Sequence, residues 1–134
     1  MVGLSYSVTR GLEMRIAVVG GGPAGLYFAT LWKKRHPGAT VRVYEQNPPD
    51  ATFGFGVVFS DRALEFLRED DPETHDLITP EMETWNDMTL IHQGEKVSID
   101  GVGFSSIGLL HLLQLLQERA RAVGAELVFD TVVH

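Results

Sequence analysis

The fold is decided by residues 15–25, which read RIAVVGGGPAG, and by residues 40–45, which read TVRVYE. The apolar, β-branched run before the glycines predicts a strand that is buried on both faces. Pro23 suits the first turn of a helix, and the three basic residues at 33–35 suit its C-terminal end, where cations face the helix dipole. The order strand, glycine turn, helix, strand therefore predicts a βαβ unit with two parallel strands.

The glycine turn fits the pattern G-x-G-x-x-G over residues 20–25. Gly20 allows a tight turn, Gly22 lets a pyrophosphate approach the backbone, and Gly25 lets the helix pack close to the sheet. Glu45 ends the second strand 20 residues after Gly25, where an acid can accept hydrogen bonds from an adenosine ribose. The motif and its context predict dinucleotide binding. FAD and NAD both remain open, whereas Gln46 offers no partner for a 2′-phosphate and disfavours NADP.

Composition limits the kind of protein. The chain has 134 residues, a net charge of −7 and no cysteine. Disulfides, thiolate metal sites and a cysteine nucleophile are therefore excluded, and the acidic balance argues against nucleic-acid or anionic-membrane partners. The five histidines show no ligand spacing, so no metal site is expected. Without a signal peptide or a long apolar run, we expect a cytoplasmic protein.

The rest of the chain is less regular. Residues 1–13 show no clear period and are interpreted as an extension before a domain over residues 14–134, with a short ordered arm as the alternative. The later elements predicted are a loop over 53–59, a helix over 61–69 capped by Ser60, an acidic surface segment over 70–83, a hairpin around 93–95, a helix over 107–123 and a strand over 126–133.

Two clusters have an ordinary and a functional interpretation. The acidic residues around Asp70 and Asp71 are interpreted as a solvated face, with a cation site as the alternative. The six leucines between Leu109 and Leu116 indicate a buried core helix, with an interaction helix as the alternative. Uncovered leucine surface on that helix would favour self-association.

Three stretches carry a resemblance to a known family: MRIAVVGGGPAGLYFATLWKK from Met14, VRVYEQNPP from Val41, and FGFGVVFSDRALEFL from Phe53. Together they resemble the N-terminal part of class A flavoprotein monooxygenases, in particular the branch that hydroxylates aryl-CoA thioesters such as salicylyl-CoA. The resemblance implies an α/β, Rossmann-like three-layer domain with a parallel sheet, present here in part. It also implies bound FAD, reduction by NADH or NADPH, and hydroxylation of an aromatic substrate with O₂.

The resemblance also assigns roles to individual residues. The glycine turn is implied to bind the FAD pyrophosphate, through Gly20, Gly22, Pro23, Ala24 and Gly25. Glu45 is implied to bind the adenosine ribose, and Gln46 to lie beside the adenosine. The loop over 54–58 is implied to run near the flavin ring. No catalytic residue is assigned, because flavin hydroxylation depends more on position than on acid–base side chains.

Two departures from the family pattern stand out. Leu109 occupies the place where the family usually has a polar residue, often Arg, that reaches the flavin's ribityl–phosphate region, and His111 lies too far round the helix to replace it. The family's downstream Gly-Asp motif is absent, so the chain is expected to be an N-terminal fragment that is inactive alone. The alternatives are an NAD-dependent dehydrogenase or another flavin oxidoreductase, and a non-catalytic dinucleotide-binding fragment.

Overall fold

A computed structural model describes residues 14–134, so the predicted extension over 1–13 lies outside the described residues. The elements in chain order are β1 (Arg15–Val19), α1 (Pro23–Arg35), β2 (Thr40–Tyr44), β3 (Gly56–Ser60), α2 (Asp61–Asp70), α3 (Pro72–Ile78), a 3-10 turn (Thr79–Glu81), β4 (Glu83–His92), β5 (Glu95–Gly108), α4 (Leu109–Ala122) and β6 (Glu126–Val128). None of the helices in this part of the chain combines the length and apolar composition that crossing a bilayer requires.

The first sheet is parallel, with the strand order β1-β2-β6. Its register aligns Val18 with Val43 and Val43 with Leu127, and α1 connects β1 to β2 as the sequence predicts. Helices α1 and α4 pack against each other and against this sheet. The core between them is formed by buried apolar side chains, among them Leu26, Ala29, Val41, Val43, Leu112, Leu113, Leu116 and Ala120.

The prediction that β1 is buried on both faces is wrong for the described chain. Ile16 and Val18 are half-buried, but Arg15, Ala17 and Val19 are exposed, with Val19 at 68% of its full accessibility. The reason is that both large helices contribute to one core, which leaves the opposite face of the sheet open in residues 14–134. A β-branched run shows that a strand is apolar, and the elements packed on it decide how many of its faces are covered.

The second sheet is antiparallel, with the order β3-β5-β4. The predicted hairpin is present, and its strands extend further than expected: β5 runs for 14 residues and pairs with β3 as well as β4. The predicted loop over 53–59 is partly wrong, because Gly56–Ser60 forms β3 through its pairing with the end of β5. That pairing joins Val57 to Ile107, 50 residues away, and a local pattern cannot reveal it.

Two short helices follow β3. Ser60 caps α2, and its Oγ accepts a hydrogen bond from the N–H of Ala63, as predicted. The prediction that residues 70–83 form a solvated acidic surface is wrong near the start of the segment, since Asp71 is completely buried and α3 begins directly after it. Lys34 and Arg119 face the Asp71 carboxylate from α1 and α4, and these cations explain how a charge can be buried there.

The last helix and strand are shorter than predicted. Helix α4 begins at Leu109, and Gly124, with φ of +92°, follows its end as expected. Strand β6 ends at Val128 because the chain turns back: Thr131 N donates to the Glu45 carbonyl, and Asp130, with φ of +52°, donates to the Asn47 carbonyl. These bonds draw the end of β6 onto the loop that follows β2.

Candidate dinucleotide-binding cleft

The glycine turn connects β1 to α1 and fixes the angle between them. Gly20 has φ of +106°, which favours glycine, and its N–H donates to the Tyr44 carbonyl at 2.8 Å. A Cβ added at Gly25 would lie 2.1 Å from the Gly20 carbonyl oxygen. A side chain at position 25 would therefore push the helix away from the strand, and this packing role is the one the motif predicts.

Helix α1 begins at Pro23 with its N-terminus open to a ligand. Its first intrahelical bond runs from Leu26 N to the Gly22 carbonyl, so the N–H groups of the first turn have no partner within the helix. No acidic side chain stands in that turn, and a Cβ added at Gly22 would meet nothing within 4 Å. An anion can therefore approach both the backbone at Gly22 and the positive end of the helix dipole.

Glu45 stands directly after β2 and is held beside the glycine turn. Its Oε2 accepts from Gly21 N at 2.7 Å, and its Oε1 accepts from the backbone N and the side-chain Nδ2 of Asn47 at 2.9 and 2.8 Å. Burial raises the pKa of Glu45, but the hydrogen bonds from Asn47, Gly21 and Gln46 outweigh it and lower the pKa below its ordinary value. The side chain is therefore a fixed carboxylate that can accept hydrogen bonds from hydroxyl groups.

A cleft of about 320 Å³ opens in front of these groups. It is lined by Gly21, Gly22, Pro23, Glu45, Asn47, Pro48, Pro49, Ala51, Thr52, Phe53, Gly54, Leu109, Leu113, Gln117 and Phe129. The loop over residues 47–54 forms one wall. Gln117, which is 95% buried on α4, anchors that wall by donating from Nε2 to the Pro49 carbonyl at 2.9 Å.

Leu109 also lines the cleft. Its N–H donates to the Phe55 carbonyl at 3.1 Å, and a Cβ added at Gly54 would lie 2.9 Å from its Cδ2 atom. His111 is exposed, and its Nε2 lies 3.1 Å from Glu81 Oε2, so it supplies no replacement donor in the cleft. The absence of a charged contact at position 109, inferred from the sequence, is therefore a feature of the folded cleft.

The structure brings some of the predicted binding residues together and separates others. Gly22, Pro23 and Glu45 line the cleft, while Gly20 and Gly25 lie beneath it and shape the turn. Ala24 lines a neighbouring apolar cavity, and Gln46 is exposed and does not line the cleft. Their roles in cofactor binding stay predictions.

The polar side chains of this site that sequence reasoning missed are those of Asn47, Thr52 and Gln117. Asn47 orients Glu45, and its position two residues after that acid and directly before two prolines was the available signal. Gln117 is a polar residue on the buried stripe that includes Leu113, Leu116 and Ala120, which also could have revealed it. Nothing in the sequence around Thr52 distinguishes it.

The residues present fit a dinucleotide. The cleft offers open backbone at Gly22, an unopposed helix N-terminus and the fixed carboxylate of Glu45. Thr52 also lines the cleft, but its Oγ1 is buried and has no hydrogen-bond partner within residues 14–134. Within the same residues, no three His, Asp or Glu side chains are grouped as a metal site.

The fold defines the class: the chain has an α/β, Rossmann-like architecture with a parallel sheet. A family model described as an NAD(P)-binding Rossmann-like domain matches residues 18–52. A structure of 2-methyl-3-hydroxypyridine-5-carboxylic acid oxygenase superposes with a TM-score of 0.75 at 25% identity, covering 90% of this chain and 32% of that one.

Two curated relatives narrow the class. Salicyloyl-CoA 5-hydroxylase from Streptomyces sp. is 43% identical over 120 residues, which are 90% of this chain and 23% of that protein. The 3-hydroxy-4-methyl-anthranilyl-(aryl-carrier protein) 5-monooxygenase from Streptosporangium sibiricum is 31% identical over 83% of this chain and 32% of its own length. The chain is thus similar over most of its length to parts of two monooxygenases, and it spans about a quarter to a third of these relatives. The similarity implies a flavin-type cofactor.

Proposed function

We propose that this chain is the FAD-binding segment of a monooxygenase that hydroxylates an aromatic substrate, an aryl-CoA thioester, using O₂ and NADH or NADPH. The single observation that carries the proposal is the cleft in which Glu45 and the N-terminus of α1 face one space. The names of the relatives supply the reaction class, because they are hydroxylases and monooxygenases of aryl thioesters.

The roles of the cleft residues follow from their geometry. Glu45 would accept hydrogen bonds from the adenosine ribose, since Asn47 and Gly21 already fix its carboxylate. Gly22 and the first-turn N–H groups of α1 would hold the pyrophosphate. Residues 47–54 would cover the middle of the cofactor and keep water from it. Bound flavin would supply electron transfer from the nicotinamide and oxygen activation.

FAD is preferred over NADP for a reason local to β2. The residue after Glu45 is Gln46, which carries no positive charge for a 2′-phosphate. NAD has a free ribose like that of FAD, so the main alternative is an NAD-dependent dehydrogenase. The family model, whose description names NAD(P), keeps that alternative open. A second alternative is a non-catalytic dinucleotide-binding fragment, because Leu109 offers the cofactor no hydrogen-bond donor.

Flavin titration of the purified chain tests the proposal. We expect FAD to bind, with quenching of its fluorescence, and to bind more tightly than NAD in a parallel calorimetric titration. Glu45→Gln should weaken FAD binding about tenfold to a hundredfold, because the amide loses the charge and turns a donor toward Gly21 or Asn47. Glu95→Gln, at the exposed tip of the β4–β5 hairpin, is the matched control.

Three outcomes would contradict the proposal: no flavin binding, tighter binding of NAD than of FAD, or equal effects of the two glutamate substitutions. The substrate and the reductant are tested separately, with a full-length protein that contains this chain. There, an aryl-CoA thioester should increase NADH or NADPH oxidation and O₂ uptake, while the free aryl acid should not.

Partners and location follow the same proposal. We propose a small aromatic substrate as the partner, no nucleic acid and no membrane, and a cytoplasmic location, where NAD(P)H is supplied.

Leu112, Leu113 and Leu116 belong to the core, while Leu109, Leu110 and Leu115 are half-buried. Self-association through the remaining leucine surface stays a prediction, which sedimentation of the purified chain can test.

A further inference from the structure

Two phenylalanines on the loop beside the cleft are almost fully exposed to solvent. Phe53 is 89% exposed and Phe55 is fully exposed, and they are the most exposed of the large apolar side chains within residues 14–134. Removing a phenylalanine ring from water is one of the largest apolar gains that a single side chain offers, and the described residues leave it unused at both positions. Apolar surface that borders a groove is typical of a binding site.

Phe53, unlike Phe55, lines the cleft in front of the glycine turn. The other aromatic residue that lines it, Phe129, is half-buried, and the Arg121 guanidinium lies over its ring at 5.9 Å. Phe53 is accessible to a ligand in the cleft, because the folded chain covers so little of it. Its ring is therefore the aromatic surface that the cleft has available for a ligand.

The loop that carries Phe53 is anchored on α4 at both sides. Before Phe53, Gln117 Nε2 donates to the Pro49 carbonyl at 2.9 Å. After it, Leu109 N donates to the Phe55 carbonyl at 3.1 Å. Because the backbone beside Phe53 is held before a ligand arrives, binding has to order little more than the ring itself, and the cost in conformational entropy is small.

We propose that Phe53 is a ligand-binding residue whose ring stacks on a flat heteroaromatic ring of the bound dinucleotide, either the adenine or the flavin. This inference rests on the proposed function, and it extends it by naming a residue that recognises a ring, whereas the glycine turn and Glu45 recognise polar groups. Both rings of FAD have extended π faces, and such faces pack favourably on a phenylalanine ring in an offset stack. An aromatic side chain stacks on any flat base, because every base has a π face.

Phe53→Ala removes the ring and is the first test. We expect this variant to bind FAD about tenfold or more weakly than wild type in a calorimetric titration. Phe53→Tyr keeps a ring and should bind FAD as wild type does. The urea midpoint of ligand-free Phe53→Ala should equal that of wild type, since the residue is 89% exposed. Phe66→Ala on α2 is the matched control, because Phe66 is 52% exposed and does not line the cleft.

ADP and FMN identify the ring that Phe53 contacts. ADP carries the adenine without the flavin, and FMN carries the flavin without the adenine. If Phe53 stacks on the adenine, Phe53→Ala weakens ADP binding and leaves FMN binding unchanged, and if it stacks on the flavin the two effects are reversed. Either result supports the proposal. Equal weakening of both ligands would show a general disturbance of the cleft and would overturn it.

Failure of this inference is distinguishable from failure of the proposed function. Wild-type chain that binds none of FAD, ADP and FMN would overturn both together. Wild-type chain that binds FAD would overturn this inference alone if Phe53→Ala bound equally well, or if Phe53→Tyr or Phe66→Ala lost as much affinity as Phe53→Ala. A lower urea midpoint for ligand-free Phe53→Ala would show that the ring stabilises the fold itself, and would also overturn the inference.

Discussion

Replacing Asp71 by Asn tests the charge network that joins three helices. The Asp71 carboxylate is completely buried, 3.2 Å from Lys34 Nζ on α1 and 3.6 Å from Arg119 Nη2 on α4, and it accepts a hydrogen bond from Thr74. The substitution keeps the shape and leaves both cations facing a neutral side chain. Removing one partner of a buried ion pair costs about 3–5 kcal/mol. Because Lys34 is partly exposed and can regain hydration, we expect a loss of about 2–3 kcal/mol.

Glu73→Gln is the matched control, because the same two cations contact Glu73. The Glu73 side chain is 58% exposed, so its pairs are screened by water, and we expect a loss of less than about 1 kcal/mol. Urea unfolding followed by circular dichroism measures both values, with an unchanged slope as the sign of two-state behaviour. Equal losses for the two variants, or a loss below about 1 kcal/mol for Asp71→Asn, would refute the reasoning.

The effect of pH gives a second test of the same network. Burial raises the pKa of Asp71, but the hydrogen bonds from Thr74 and Lys34 and the charges of Lys34 and Arg119 outweigh it and lower the pKa below its ordinary value. A lowered pKa means that the carboxylate stabilises the fold above the unfolded-state pKa of about 3.9, and that this stabilisation is lost as the pH falls through the folded-state pKa. The gap between wild type and Asp71→Asn should therefore be constant near neutrality and close below about pH 4. A gap that persists in acid would contradict this assignment.

Two further substitutions test the packing of the parallel unit. Gly25→Ala should lower the free energy of unfolding by about 1–3 kcal/mol and weaken flavin binding, because the added Cβ would lie 2.1 Å from the Gly20 carbonyl oxygen. Gly38→Ala is the control, since a Cβ there would meet nothing within 4 Å, and it should change neither quantity. Urea denaturation and flavin titration of both variants measure the two effects. Leu116→Ala should lower the free energy of unfolding by about 2–5 kcal/mol, because the residue is buried in the core. Leu90→Ala on the exposed hairpin should lower it far less. Similar losses for the two variants in urea unfolding would contradict the assigned core.

Features that depend on local patterns could be predicted from the sequence. The βαβ unit, the glycine turn and the cap at Ser60 each depend on residues within one element or one turn, and the structure confirms them. The predicted α/β, Rossmann-like fold class is likewise confirmed by the parallel sheet and the matching structures. The hairpin turn around Gly94, which has φ of +86°, belongs to the same group.

Features that depend on distant residues could not be predicted in this way. The burial of Asp71 requires cations that lie 37 and 48 residues away in the sequence, and a run of acids alone reads as a solvated face. The exposure of Val19 depends on which face of the sheet the helices cover. The cleft wall at Thr52 depends on the bond from Gln117 to Pro49, which spans 68 positions.

Gly54 and Leu109 form one packing arrangement, although the sequence presents them as unrelated features. A Cβ at Gly54 would lie 2.9 Å from Leu109 Cδ2, so the leucine occupies the space that a side chain at position 54 would need. The bond from Leu109 N to the Phe55 carbonyl holds the loop in that contact. A leucine at position 109 therefore makes this part of the cleft apolar. Within residues 14–134, the polar groups offered to a dinucleotide are those of the glycine turn, the N-terminus of α1 and Glu45.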